Sequence, residues 1–173
     1  AVNAKFQSIF SGTNYRTMGI WWRLVDATTL AANNNTMPNP VIDATVAATN
    51  GAVIVTIRGP NKWVANPIDL TITGANNANS TALNIGGGTT AVANELALVI
   101  TSLPGSGTSV STCTNANLSS ITKRRESLIV QTSTIGFSLH TARIANASTA
   151  IGTTAVVMSA AGNNVGAVIT IKP

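Results

Sequence analysis

Two runs of alternating residues constrain the fold more than any other part of the chain. In residues 52–58 (AVIVTIR) and 68–73 (IDLTIT), apolar side chains recur at every second position. Because successive side chains of a strand point to opposite faces, each run would have one apolar and one polar face. A loop that contains Pro and Asn joins them. The pattern therefore predicts an antiparallel pair of strands.

Further strands are predicted along the rest of the chain. They fall at residues 19–26, 40–49, 108–114, 126–132 and 135–144, with a C-terminal hairpin of 154–159 and 165–172 around a turn at 161–164. Residues 91–103 fit either a helix that begins after Thr90 or a buried strand. The β-branched Val99, Ile100 and Thr101 favour a strand in the C-terminal half of that segment.

The number and spacing of these strands predict one fold class. About eight to ten short strands, separated by loops rich in Asn, Gly and Pro, are typical of a sandwich or a barrel. The longest loops are expected at residues 31–40, 74–88 and 115–125. We expect an all-β, single-domain antiparallel β-sandwich, Ig-like or jelly-roll in type, over residues 13–173. Residues 1–12 would form an N-terminal arm.

The composition indicates a surface with little charge. Hydrophobic residues make up 45% of the chain and charged residues only 9%, although the net charge is +5. About a quarter of the residues of a typical soluble domain are charged. A surface of Thr, Asn and Ser has little repulsion to keep copies apart, so we expect this chain to bury surface against neighbouring copies. No apolar run reaches the length of a membrane span.

Catalytic groups are scarce, so we expect no enzyme activity and no cofactor. His140 and Cys113 are each the single residue of their type, and the five carboxylates are scattered. A zinc site of the usual kind would need unusual ligands, and we expect no metal site. Residues 136–140 (GFSLH) begin like a nucleophile elbow, but His140 replaces the closing glycine. Few carboxylates also suggest that the fold tolerates acid, since acid unfolding proceeds largely through carboxylates.

One basic cluster and one pair of indoles are candidate contact sites. Lys123, Arg124 and Arg125 would bind a polyanion, or would simply be a solvated part of a loop. A nucleic-acid surface usually combines more basic residues with aromatic ones. Of the adjacent Trp21 and Trp22, one ring would enter the core while the other, Trp21, would reach a subunit contact.

Four N-x-S/T sequons are candidate sites for N-linked glycans. They begin at Asn34, Asn79, Asn117 and Asn146. A chain this rich in Asn, Ser and Thr would contain about as many by chance, so their number is not informative. Asn34, Asn79 and Asn117 fall in predicted loops, where a glycan would be sterically possible.

A disulfide-free β domain of this composition resembles the subunits of extracellular filaments. It is similar to archaeal thread-like and bundling pili and, more loosely, to chaperone–usher pilins. The single Cys113 departs from the disulfide pair of the usher type. The resemblance implies a secreted, homopolymeric cell-surface protein that assembles by donor-strand complementation. In this mode an arm from one subunit adds a strand to its neighbour. The arm would be residues 1–12, with Phe6, Ile9 and Phe10 in the contact.

Two other functions fit the same sequence. A viral coat protein with a jelly-roll fold would also assemble from β domains, and Lys123–Arg125 would then face a packaged genome. However, the N-terminus lacks the basic arm with which many coats neutralise phosphates. A monomeric carbohydrate-binding or adhesin module would use Trp21, Trp22 or Trp63 to stack on sugar rings.

Overall fold

The computed structural model describes residues 18–20, 25, 28, 31–32, 54–57, 66–105, 108–129 and 135–173. This part of the chain contains eight strands, and the predicted all-β, antiparallel, sandwich-like fold is confirmed. The strands are β1 (Ile68–Ile85), β2 (Gly88–Thr89), β3 (Glu95–Leu103), β4 (Val110–Thr114), β5 (Ser119–Ile129), β6 (Ile135–Ile144), β7 (Ala150–Ile151) and β8 (Thr154–Ile171). The predicted arm at 1–12 and the predicted strand at 40–49 lie outside the described residues.

The main sheet has the strand order β1-β8-β3-β6-β5, and every pair is antiparallel. Strand β4 joins it by pairing with the N-terminal half of β8, from Ala155 to Met158. Strand β3 pairs with the C-terminal half of β8, from Gly166 to Ile171. A separate small ladder joins β2 to β7. Each half of β8 therefore has its own neighbour on the same side.

The two longest strands, β1 and β8, turn a corner together and form both layers of the sandwich. Their ladder runs from Ile68–Ile171 to Ile85–Thr154, with irregular register between Asn76 and Ala82. A Cβ atom placed on Gly74 would lie 2.8 Å from the Cα atom of Ile85, so β1 folds back against itself. One layer therefore contains β3, β6 and β5, and the other contains β4.

The corner corrects two predictions. Residues 74–85, which we expected to form a loop, continue β1. Residues 154–159 and 165–172 do not form a hairpin, because they belong to one strand and its partner is β1. The residues that indicated turns are found at irregularities of the ladder instead: Asn79 has a φ of 48°, and Gly162 packs so tightly on Pro104 that a Cβ would clash.

The first predicted pair is also wrong. Residues 54–57 carry no strand, and β1 pairs with β8 instead. Gly19, Ile20 and Val25, the described residues of the predicted strand at 19–26, are not in a strand either. The strands at 95–103, 110–114 and 135–144 confirm the corresponding predictions, including the choice of strand for the ambiguous segment. Before Glu95 that segment is a bend, not a strand.

Two apolar clusters lie on opposite faces of the main sheet. The inner core fills the space between the layers and is centred on fully buried side chains such as Leu83, Val99 and Val168. The outer-face cluster contains Leu98, Leu139 and Ile169 and is joined by Ile20 and Ile57, while Ile54 is 66% exposed. With both faces covered, the C-terminal half of β8 is buried at every residue from Asn164 to Ile171. Among the described residues, no helix is long and apolar enough to cross a membrane.

Candidate functional site

A cleft separates β4 from β5 on the inner side of the sandwich. Strand β4 pairs with β8, and β5 pairs with β6, but no ladder joins β4 to β5 in the described part of the chain. The cleft has a volume of about 270 Å³ and is lined by Thr108, Ser109, Glu126, Ser127 and Leu128. Two sheet edges therefore flank a space that none of the eight described strands fills.

Two side chains hold the free edge of β4 across this cleft. The backbone amide of Val110 donates a hydrogen bond of 2.6 Å to Glu126 Oε1. The ammonium group of Lys123 donates to the Val110 carbonyl oxygen at 2.7 Å and to Glu126 Oε2 at 2.9 Å. The backbone of the preceding residue, Ser109, bonds to Ser159 of β8 on the other side. The Ser109 amide donates to Ser159 Oγ, and the Ser109 carbonyl accepts from the Ser159 amide. Lys123 and Glu126 thus occupy the hydrogen-bonding positions that an adjoining strand would use at Val110.

A β-bulge places Lys123 and Glu126 on the same face. In a regular strand, residues three apart point to opposite faces. Here the register shifts between Lys123 and Arg125, so that Lys123 lies opposite His140 and Glu126 lies opposite Ser138. The extra residue, Arg124, points elsewhere and donates to Thr141 Oγ1 at 2.7 Å. A bulge of this kind re-aims side chains at a sheet edge.

The bulge corrects the prediction for the basic cluster. Lys123, Arg124 and Arg125 lie within β5 and not at the end of a loop. All three are exposed, but they do not form one patch. Lys123 is engaged with Val110 and Glu126, and Arg124 with Thr141.

A buried polar row lies beside the cleft. Ser138 is opposite both Glu126 and Thr101, and its Oγ lies 3.3 Å from Nδ1 of His140. Ser138 is fully buried and His140 is 4% exposed. The pKa of His140 is lowered because burial desolvates the imidazolium and because Lys123 is positively charged, while Glu126 acts in the opposite direction. Solvent does not reach Ser138 Oγ in this structure, so the pair is not placed for nucleophilic attack on a substrate.

The other candidate chemical groups do not converge. Cys113 on β4 packs against the inner core, and burial raises the pKa of its thiol to about 11. Such a thiol is protonated and weakly nucleophilic at neutral pH. Across the described ranges, no three His, Cys, Asp or Glu side chains lie close enough together to hold a metal ion.

Three of the four sequons lie in the described part of the chain, and all three asparagines are exposed. Asn79 is in β1, not in the predicted loop. Asn117 lies in the turn after β4, as predicted, but its side-chain amide already donates to the Ala150 carbonyl. Asn146 follows β6. Asn34 lies outside the described residues, as do the predicted contact residues Phe6, Ile9, Phe10 and Trp21.

Comparison of the chain with protein-family models, with curated proteins and with solved structures found no significant match in any of the three.

Proposed function

We propose that this chain is a self-assembling structural subunit of an extracellular filament, and that the cleft between β4 and β5 accepts an extended segment of a second copy. The observation that carries the proposal is the capture of Val110. Both of its outward backbone groups are satisfied by the side chains of Lys123 and Glu126. Exposed strand edges are usually protected, and charged side chains are one common means.

Strand addition is chemically straightforward at this place. An incoming backbone would present a carbonyl to the Val110 amide and an amide to its carbonyl, replacing two side-chain hydrogen bonds with two ladder bonds. Lys123 and Glu126 would stay paired with each other at 2.9 Å, so no isolated charge would be left in the cleft. The half-buried Leu128 gives the cleft an apolar wall for an incoming side chain.

The proposed occupant is residues 1–12 of a neighbouring copy. Lys5 is the one charged side chain in this segment, which suits a cleft whose own two charges are paired. Phe6, Ile9 and Phe10 supply apolar side chains for the contact. Secretion and a surface location follow from the same proposal. Asn79 and Asn146 are exposed and would accept glycans, whereas a glycan on Asn117 would compete with the hydrogen bond from its amide to the Ala150 carbonyl.

The coat-protein alternative keeps one supporting observation. Arg124 and Arg125 are exposed on β5 and would be available to a nucleic acid, although Lys123 is turned into the cleft. Negative-stain images of the native particle separate the two functions, since fibres support the filament and closed shells with absorbance at 260 nm support the coat.

The experiment for the proposed function is sedimentation of the full chain over a range of concentrations, together with a variant that lacks residues 1–12. The full chain should form long polymers, and the shortened chain should remain monomeric. A full chain that stays monomeric at high concentration contradicts self-assembly. Polymers of normal length from the shortened chain contradict the choice of arm.

A further inference from the structure

Two carboxyl groups are buried together at one end of the main sheet, and neither takes part in the proposed strand addition. Glu95 begins β3 and is fully buried. Asp69 lies on β1, and its side chain is 10% exposed. Strand β8 runs between β1 and β3, and Lys172, which follows it, places its Nζ 3.9 Å from Asp69 Oδ1. Of the two acidic groups, Asp69 therefore has a cation beside it.

Both carboxyl groups hold the bend that leads into β3. Asp69 Oδ2 accepts a hydrogen bond of 2.6 Å from the Ala91 amide. Glu95 Oε1 accepts one of 3.3 Å from the Val92 amide. The remaining oxygen, Glu95 Oε2, is buried without a hydrogen bond of normal geometry. A buried, unpartnered carboxylate oxygen is costly, so this atom needs an explanation.

The surroundings of Glu95 favour its neutral form. Its pKa is raised, first because burial desolvates the carboxylate, and also because the acidic side chain of Asp69 lies beside it. The polar Thr170 side chain and the Val92 amide oppose that shift. Among the described residues, the charged groups around the site are Asp69 and Lys172, with Arg143 of β6 at its outer side, where Nη2 donates to Asn94 Oδ1 at 2.9 Å.

We propose that Asp69 and Glu95 share one proton, and that this proton fastens residues 91–94 to the sheet. Glu95 is neutral, and its Oε2–H donates to the Asp69 carboxylate, whose charge Lys172 balances. The proton gives the unpartnered oxygen a hydrogen bond. Loss of the proton would leave two buried negative charges side by side, of which Lys172 balances the one on Asp69, so the bend would detach from the two carboxylates. The site is separate from the cleft, and the proposal does not depend on self-assembly.

The direction of the pH dependence follows from linkage. Glu95 binds its proton more tightly in the folded protein than in the unfolded chain. The stabilisation is therefore complete at a pH below about 4.3, the ordinary pKa of a Glu side chain. It is lost as the pH rises through the higher pKa that Glu95 has in the folded protein. The bend should be firmest in acid and loosest at alkaline pH.

Hydrogen exchange of the Ala91 and Val92 amides in the full chain tests this directly. After correction for intrinsic exchange, protection of both amides should fall by about tenfold or more between pH 4 and pH 8. Glu95→Gln keeps the shape and supplies a permanent donor, so its protection should change by less than about twofold over the same range. Asp69→Asn removes the neighbouring charge and should move the midpoint of the remaining transition to lower pH. The Ser159 amide, bonded to the Ser109 carbonyl at 2.9 Å, is the internal control.

Two results would overturn the proposal. One is a pH profile in Glu95→Gln that equals the profile of the unsubstituted chain. The other is recovery of protection at pH 8 when Ca²⁺ is added, since the pair would then be a cation site and not a shared proton. Melting temperatures of the same variants over the same pH range show that each is folded.

Discussion

The Val110 amide donates to the Glu126 carboxylate at 2.6 Å across a cleft that no ladder between the described strands spans. The Glu126 side chain accepts a backbone hydrogen bond that the carbonyl of a neighbouring strand accepts elsewhere in the sheet. The Lys123 ammonium completes the arrangement from the carbonyl side at 2.7 Å. This capture makes the β4 edge compatible with a monomer, and it also marks where another strand would bind.

The first prediction concerns the strength of that capture. Glu126→Ala should lower the free energy of unfolding of the monomer by about 1 to 2 kcal/mol, since a hydrogen bond to a charged group is lost at a partly exposed site. Arg125→Ala, on the same strand with an exposed side chain, should change it by less than about 0.5 kcal/mol. Urea denaturation of both variants under conditions that prevent assembly measures the difference. Equal effects of the two substitutions would show that the Glu126 contact adds no stability.

The second prediction tests the corner of β1. A methyl group on Gly74 would lie 2.8 Å from the Cα of Ile85 and against the backbone of Asn84, which cannot move aside as a flexible side chain could. We expect Gly74→Ala to destabilise the fold by about 1 to 3 kcal/mol, as is typical of overpacking. Gly152→Ala is the matched control, because among the described residues no atom beyond its two chain neighbours lies within 4 Å of its added Cβ. Thermal melting compares the two, and equal melting temperatures would mean that β1 does not fold back at Gly74.

The third prediction concerns His140, whose titration is directly visible because the chain has one histidine. Its pKa is lowered by burial and by Lys123, so the native state prefers the neutral ring. The free energy of unfolding should therefore decrease as the pH falls from about 6.5, the ordinary pKa of histidine, through the lower pKa that His140 has in the folded protein. An NMR titration of the imidazole should give a pKa below that of a free histidine, and Lys123→Ala should raise it.

A His140 signal with an ordinary pKa, unchanged by Lys123→Ala, would contradict the buried geometry beside the cleft. The same residue limits the acid tolerance expected from the small number of carboxylates. His140 disfavours the native state on acidification, whereas the raised pKa of Glu95 has the opposite effect. Acid stability should therefore depend on these two groups more than on the total count of acids.

The fourth prediction concerns the thiol of Cys113. With a pKa of about 11 instead of about 9, the folded chain should contain roughly 100-fold less thiolate at pH 8 than the unfolded chain. Its reaction with a disulfide reagent should be slower by at least that factor in the native state, and unfolding in guanidinium should restore the ordinary rate. A fast native reaction would mean that Cys113 is not packed against the inner core.

The sequence predicted the strands whose signal is local and missed the features that depend on the whole sheet. Alternation located residues 135–144 correctly, and β-branched residues identified the strand ending at Leu103. Residues 74–85 were misassigned because Asn, Gly and Ser, which usually form turns, here occupy the irregular corner of a long strand. The partner of a strand is set by tertiary packing, so the pairing of β1 with β8 could not be deduced from either segment alone.

The candidate cleft was beyond sequence reasoning for a related reason. Lys123 and Glu126 are three residues apart, a spacing that places them on opposite faces of a regular strand. The bulge at Arg124 brings them to one face, and no residue in that stretch signals a bulge as a glycine would. The role of Val110 could not be deduced from the sequence either, because it contributes its backbone amide and carbonyl and not its side chain.

The most direct test of the account is to fill the cleft. Leu128→Trp would place an indole in the space of about 270 Å³ between β4 and β5, because Leu128 lines the cleft on the same face of β5 as Glu126. Thr153→Trp adds the same ring at an exposed position outside the cleft. Sedimentation of the folded variants should show monomers for Leu128→Trp and polymers for Thr153→Trp and the unsubstituted chain. Polymers of equal length from both variants would contradict the claim that a second copy binds in this cleft.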